Sequence, residues 1–259
     1  MLQKVPHGRV LQIALDRPEK RNALNYELCL AILDAVEGAV HDPGIGAILL
    51  TGTGKSFCAG MDLDEAAGGV PPETNILHER LFTLGARSCK PLIAAVQGAA
   101  LGGGTGLVAT CHIVIAEPGA TFGLTEIRLG LWPFLVYRAV GMALGERRTL
   151  ELSLTGRIFG SEEAQNLGLV HEIAADAGKR AMEVAETVAG FSPTAIQNGL
   201  SFVHEVRGMD WVESGQVARR VRDRVFAGAD FEEGLRAFRE KRSAEWPSLR
   251  SEDAPYKIL

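Results

Sequence analysis

Two glycine-bearing stretches carry the residue types from which a backbone anion site can be built. In GTGKSFCAGMDLDE (52–65) the small residues Ala59 and Gly60 leave the main chain open, so that the Met61 amide can face a ligand. In GAALGGGTGLVATC (98–111) three consecutive glycines, Gly102 to Gly104, open a helix. There the unpaired N–H groups and the helix dipole attract negative charge. Two such amides aimed at one point form an oxyanion hole, which stabilises charge developing on a carbonyl oxygen. Each loop alone has a plainer account. A glycine triplet serves close packing equally well, and a dinucleotide-binding reading lacks its first strand and downstream acid. Gly106, two residues past the triplet, costs a helix about 1 kcal/mol relative to alanine.

These loops need strands before them and helices after them, and the pattern supplies both. Val10–Leu15 reads as a strand that stops at DRPEKRN. Asn25 is the expected N-cap of a helix whose Leu28, Ile32, Val36 and Val40 fall on one face. The apolar runs ending at Leu50, PLIAAVQG (91–98) and HIVIAE (112–117) suit strands buried on both faces. Strand–helix alternation of this kind predicts parallel pairing with crossover helices, an α/β fold. After about residue 145 the period is helical throughout, with Ser161 and Asp230 expected to cap helices through the glutamates that follow them. The last of these, 230–242, is basic beyond Leu235, which suits either a solvated face or an anionic ligand.

The chain has 259 residues and a net charge of −5, which argues against nucleic acid as a partner. No apolar run is long enough to span a bilayer, and the N-terminus lacks a signal-type core, so no membrane association is expected. Cys29, Cys58, Cys89 and Cys111 lack metal-ligand spacing and sit among apolar residues. They read as buried free thiols of a cytoplasmic protein, with no metal.

Taken in order, LDRPEKRNALN (15–25), FCAGMDL (57–63), PLIAAVQGAALGGG (91–104), TFGLTEIRLGL (121–131), LTGRIFGSEEAQNLGLVHEI (154–173) and EGLRAFREKRSAEW (233–246) resemble the enoyl-CoA hydratase/isomerase family, the crotonase group. The resemblance implies the ClpP/crotonase-like α/β fold of stacked ββα units over 1–195. It also implies a helical C-terminal region, 196–259, that serves oligomerisation as a homotrimer or a dimer of trimers and closes the CoA pocket. The substrate is then an acyl-CoA thioester, with coenzyme A as part of it and no separate cofactor. The amides of Met61 and Gly103 match the family's oxyanion donors. CoA contacts are expected near Arg21, Ala23 and the backbone of Ala59, Asp62, Leu63 and Asp64, with Leu101 and Gly102 beside the carbonyl. Phe238 and Lys241 match C-terminal residues that reach CoA, often across a subunit boundary. Leu124, Trp132 and Phe134 are expected to line the acyl pocket.

Family hydratases carry two glutamates. One matches Glu126; the other falls on Gly106. A single carboxylate suits moving a double bond, by taking a proton from C2 and returning it to C4, better than adding water. The resemblance therefore implies a Δ3,Δ2-enoyl-CoA isomerase. Hydration is the alternative, and Glu79 or Asp64 are the carboxylates that could restore it from elsewhere. A thioester hydrolase would carry an aspartate where Phe134 stands. A non-catalytic CoA-ester scaffold would have no need of Glu126. His112, at a strand start, reads as structural.

Overall fold

A computed structural model describes residues 1–69 and 71–249. An antiparallel pair, β1 (Leu2–His7) and β2 (Val10–Leu15), precedes α1 (Tyr26–His41). Asn25 caps α1 by accepting the Leu28 amide at 3.0 Å, and Leu28, Ile32, Val36 and Val40 are all buried. Next come β3 (Ala47–Gly52), α2 (Leu63–Gly68), α3 (Thr74–Leu81), α4 (Leu84–Arg87), β4 (Leu92–Val96), β5 (Ala99–Leu101), α5 (Gly103–Ala109), β6 (Ile113–Ala116) and β7 (Thr121–Gly123). A second run holds α6 (Phe134–Leu144), α7 (Glu146–Thr155), β8 (Ile158–Gly160), α8 (Ser161–Leu167) and β9 (Glu172–Ile173). The described chain then continues through α9 (Ala177–Ala189), α10 (Pro193–Glu205), α11 (Trp211–Phe226) and α12 (Ala229–Glu240). The expected division at 195/196 falls inside α10.

The main sheet runs β1-β2-β3-β4-β6-β9 and is parallel from β2 onward. Alternation sends its side chains to two different cores. Ile13, Ile48, Leu50, Leu92, Ala94 and Val114 pack into the larger one with α1. Val10, Ala47, Leu49, Ile93, Ala95 and Ile115 meet Ala177, Ala181, Ala185 and Ala189 of α9. An alanine every fourth residue lets that helix lie close to the sheet; a β-carbon on Gly46 would stand 2.9 Å from the Ala189 carbonyl. The smaller sheet, β5-β7-β8, is tied to the loop after β3 by a bridge between Cys58 and Ala100.

Three expectations need correction. Ser161 is the first residue of α8, not its cap; Gly160 holds that place, and the Ser161 hydroxyl donates to the Pro118 carbonyl at 2.7 Å. Asp230 lies inside the first turn of α12, behind Gly228, where it accepts from Ser192 and from the amide and hydroxyl of Ser248. The last helix ends at Glu240, with Lys241 left-handed at φ 53°. Both acidic residues of that helix which turn inward are engaged elsewhere: Glu233 binds Arg236, Arg242 and the Glu245 amide. Those bonds hold the carboxyl of Glu233 well below the ordinary range.

Asn22 fixes the loop that connects β2 to α1. It is fully buried, left-handed at φ 56°, and makes three bonds: from the Arg17 amide at 2.8 Å, and to the carbonyls of Thr53 (3.0 Å) and Ser56 (2.8 Å). Asn22→Ala leaves those backbone groups unsatisfied and keeps a β-carbon at a left-handed residue without the polar side chain that lets Asn adopt it, an expected loss of about 2–4 kcal/mol in chemical denaturation. Asn22→Gly, which loses only the bonds, should recover about 1 kcal/mol of it.

Candidate active site

Two backbone segments converge at this site. The first follows β3. Leu24 pairs with Met61 in a parallel bridge: the Leu24 amide donates to the Gly60 carbonyl at 2.7 Å, and the Asp62 amide donates to Leu24 at 2.9 Å. Asp62 is buried, caps α2 and pairs with Arg17 at 2.9 Å, so its side chain holds this turn in place. Its carboxyl is lowered by Arg17 and by the amides it accepts, against the opposing effect of burial. The Met61 N–H, between these two bonds, has no partner among the described residues.

The second segment is the turn from β5 into α5. The Leu101 amide donates to Cys58 at 3.0 Å, and the Gly102 amide, at a residue with φ 54°, donates to Gly123 at 2.7 Å. Thr105 anchors the turn, donating to the carbonyls of Ala100 and Gly123. Gly103 then starts the helix with its N–H also unpartnered among the described residues. Glycine is obligatory at the crossing. A β-carbon on Gly60 (φ 96°) would meet the Leu101 carbonyl at 2.7 Å, and one on Gly104 would meet the Cys58 carbonyl at 2.1 Å. The two free amides therefore belong to segments in direct backbone contact, the arrangement that an oxyanion hole needs.

A cavity of about 360 Å³ opens beside them. Ala59, Met61, Leu63, Gly102, Gly103, Glu126, Trp132 and Phe134 lie on its wall. Glu126 enters from the turn after β7, and one of its oxygens is 3.1 Å from where a β-carbon on Gly102 would stand. Its Oε2 is buried with no hydrogen-bond partner, and burial raises its pKa above the 4.5 of an ordinary glutamate. A carboxyl in that state is suited to taking and returning a proton. It is the cavity's one carboxylate among the described residues.

Other expected contacts lie off this wall. Leu124 is fully buried in the larger core and does not line the pocket, because the chain alternates inward there, one residue past β7. Arg21 is exposed and left-handed, and its carbonyl accepts the Ala59 amide. Ala23 is buried, its carbonyl accepting from Arg17 at 2.6 Å. Asp64 is exposed and paired with Lys20, and Glu79 pairs with Arg138 at 3.7 Å on the wall of a separate cavity of about 580 Å³. Neither supplies a second carboxylate to this pocket. Phe238 and Lys241 are exposed on and just past α12, away from the cavity of their own chain. His112 is structural: its Nδ1 accepts the Leu92 amide at 2.9 Å, and its Nε2 bonds the Gly85 carbonyl at 3.0 Å. All four cysteines are free and buried.

Among the wall residues that the sequence does not single out are His78 and Phe82, on and just past α3. Phe82 explains Gly106. A β-carbon on Gly106 would lie 3.0 Å from the Phe82 ring and 2.8 Å from Val136, so the space for a side chain there is already full. The i,i+4 pairs Leu77/Leu81 and His78/Phe82 are the signal that marks this helix and its two faces.

A family model described as Enoyl-CoA hydratase/isomerase matches residues 6–249. The chain is 36% identical to an enoyl-CoA hydratase of Mycobacterium tuberculosis, over 91% of this chain and 92% of that protein. It is 34% identical to a mevalonyl-coenzyme A hydratase of Aspergillus fumigatus, over 95% and 94% of the two chains. Among solved structures, an enoyl-CoA hydratase from Bacillus anthracis superposes with a TM-score of 0.89 at 29% identity, covering 95% of this chain and 99% of that one. No described helix is long and apolar enough to cross a membrane.

Burial of Glu126 without a partner sets opposite signs for activity and stability. With the ionised form acting as a base, kcat/KM is expected to rise with pH along an acid limb whose midpoint lies above 4.5. The raised folded pKa favours the protonated fold, and that contribution disappears as pH rises through it. Glu126→Gln should therefore lose turnover yet melt a few degrees higher than the parent at neutral pH, by calorimetry.

Proposed function

Because the chain belongs to the enoyl-CoA hydratase/isomerase family, we propose that it acts on an acyl-CoA thioester and shifts a double bond from C3 to C2. The thioester oxygen accepts from the Met61 and Gly103 amides, which makes the C2 proton acidic and holds the resulting dienolate. Glu126 removes the C2 proton, and the electron pair of that C–H bond forms the C1–C2 double bond of the dienolate. The same carboxyl then delivers the proton to C4 as the electrons flow back, leaving a C2–C3 double bond. No water enters and no net proton is consumed. Burial keeps the pKa of the carboxyl raised, and Leu131, Trp132 and Leu135 add apolar surface to the same cavity.

One observation carries this reading: the place of a second glutamate is packed shut. Phe82 and Val136 stand where a side chain at 106 would go, and Glu126 alone remains. The hydratase names of the relatives favour a second reading, in which Glu126 alone both orients water and protonates C2. CoA contacts by Phe238 and Lys241 would require copies of the chain to assemble, as a trimer or a dimer of trimers.

Incubating 3-hexenoyl-CoA with the purified protein should generate the conjugated thioester absorbance, with the product carrying its double bond at C2 by mass spectrometry and NMR. Glu126→Gln should slow this by roughly 10²–10⁴-fold. Crotonyl-CoA hydration faster than the double-bond shift overturns the isomerase reading in favour of hydration. Restoring a carboxylate provides a second check. Gly106→Glu alone should be destabilised by about 1–3 kcal/mol through overpacking, and should gain no hydration. Combined with Phe82→Ala, which removes the ring, it should fold better than the single variant and hydrate crotonyl-CoA measurably.

A further inference from the structure

The double-bond shift leaves other polar groups of the cavity unused. Asn75 and His78 both line it from α3, three residues apart and so on neighbouring positions of one helix face. The His78 ring lies 5.9 Å from the ring of Phe82, tilted by 48°. Phe82 in turn places its Cζ 3.3 Å from where a β-carbon on Gly103 would stand. The imidazole is thus one aromatic ring removed from the oxyanion amide, on the wall of the same cavity.

His78 differs from the histidines that build the frame. Both nitrogens of His112 bond the backbone, and Nδ1 of His171 accepts the Val114 amide at 3.1 Å. The Nε2 of His78 is buried and has no partner among the described residues. Glu65, the charged group that acts on it, spends both carboxylate oxygens on the Tyr26 amide. Burial pushes the imidazole pKa down, which keeps the ring neutral. A neutral imidazole carries one donor and one acceptor nitrogen, a set that a hydroxyl can satisfy from either side. A buried nitrogen left without a bond is unfavourable, a deficit that a ligand hydroxyl would remove.

We propose that His78, with Asn75 beside it, forms a polar subsite that selects acyl-CoA substrates bearing a hydroxyl group on the acyl chain. This rests on the acyl-CoA reading of the cavity but not on which reaction follows. An unsubstituted chain would leave the imidazole unpaired, and a site of that kind discriminates against the analogue lacking the hydroxyl.

Binding of unreactive esters tests the subsite apart from the chemistry. Saturated acyl-CoA esters of about four to six carbons, with and without a hydroxyl near the chain end, would be titrated calorimetrically. Wild type should bind at least one hydroxylated ester about tenfold tighter than its plain partner. His78→Leu should bring the two within about twofold, and His78→Gln, which keeps a donor and an acceptor, should retain part of the preference. Equal affinities in wild type across the series overturn the subsite, and so does a preference that His78→Leu leaves intact. Tightest binding of an ω-carboxylated ester overturns the hydroxyl assignment. Failure of every ester, plain or substituted, to bind overturns the acyl-CoA reading and the subsite with it.

Discussion

The rest of the site depends on one backbone contact. Gly60, after β3, and Leu101, at the end of β5, approach so closely that a single β-carbon on Gly60 would overlap the Leu101 carbonyl. Gly104 repeats the constraint against Cys58 from the opposite side. Two strands from different sheets can deliver free amides to one point only if nothing but hydrogen occupies the crossing. Glycine meets that demand and also supplies the positive φ at residues 60 and 102. The surrounding polar contacts protect the crossing. Asn22 fastens the 17–25 loop to the carbonyls of residues 53 and 56, Arg17 holds Asp62, and Thr105 gathers the carbonyls of Ala100 and Gly123. All of these bonds involve buried or half-buried groups, where losing a partner is costly.

How much of this could be read from the chain alone depended on range. Strands β2, β3, β4 and β6 are apolar runs, and α1 and α9 carry clean helical periods, so local pattern was enough. The two glycine-flanked turns that leave the Met61 and Gly103 amides unpartnered were legible because their glycines bracket small residues in a recognisable order. The α3 segment was missed because TNILHERL mixes charges into its period, and its burial comes from packing against α1. The capping errors at Ser161 and Asp230 have a similar cause. Ser–Glu and Asp–Glu are local capping signals, but the side chains were claimed by distant partners, Pro118 for one and Ser192 with Ser248 for the other. Leu124 was placed in the pocket because sequence proximity to Glu126 does not tell which side of a chain faces inward.

Gly106 shows the same limit from another direction. Read as a missing carboxylate, it points to a double-bond shift in place of hydration but gives no reason for the gap. The structure gives the vacancy a cause, since Phe82 and Val136 occupy the volume and any side chain at 106 would displace them. The aromatic ring and the glycine are complementary, and neither is informative without the other. Because Phe82 comes from a segment 24 residues upstream in the sequence, no window around Gly106 could have revealed the match.

The cavity divides accordingly into a backbone end and a side-chain end. At the first, the unpartnered amides of Met61 and Gly103 offer backbone donors that do not depend on side-chain identity. At the second, Glu126 sits among apolar groups that deny it a counterion and so keep its proton exchangeable. A carboxylate given a partner here would be more stable and less basic in the useful range, like Asp62, whose pairing with Arg17 lowers it. The two acids lie on opposite sides of the same requirement: one is paired and holds a turn, and the other is buried unpaired and keeps a raised pKa.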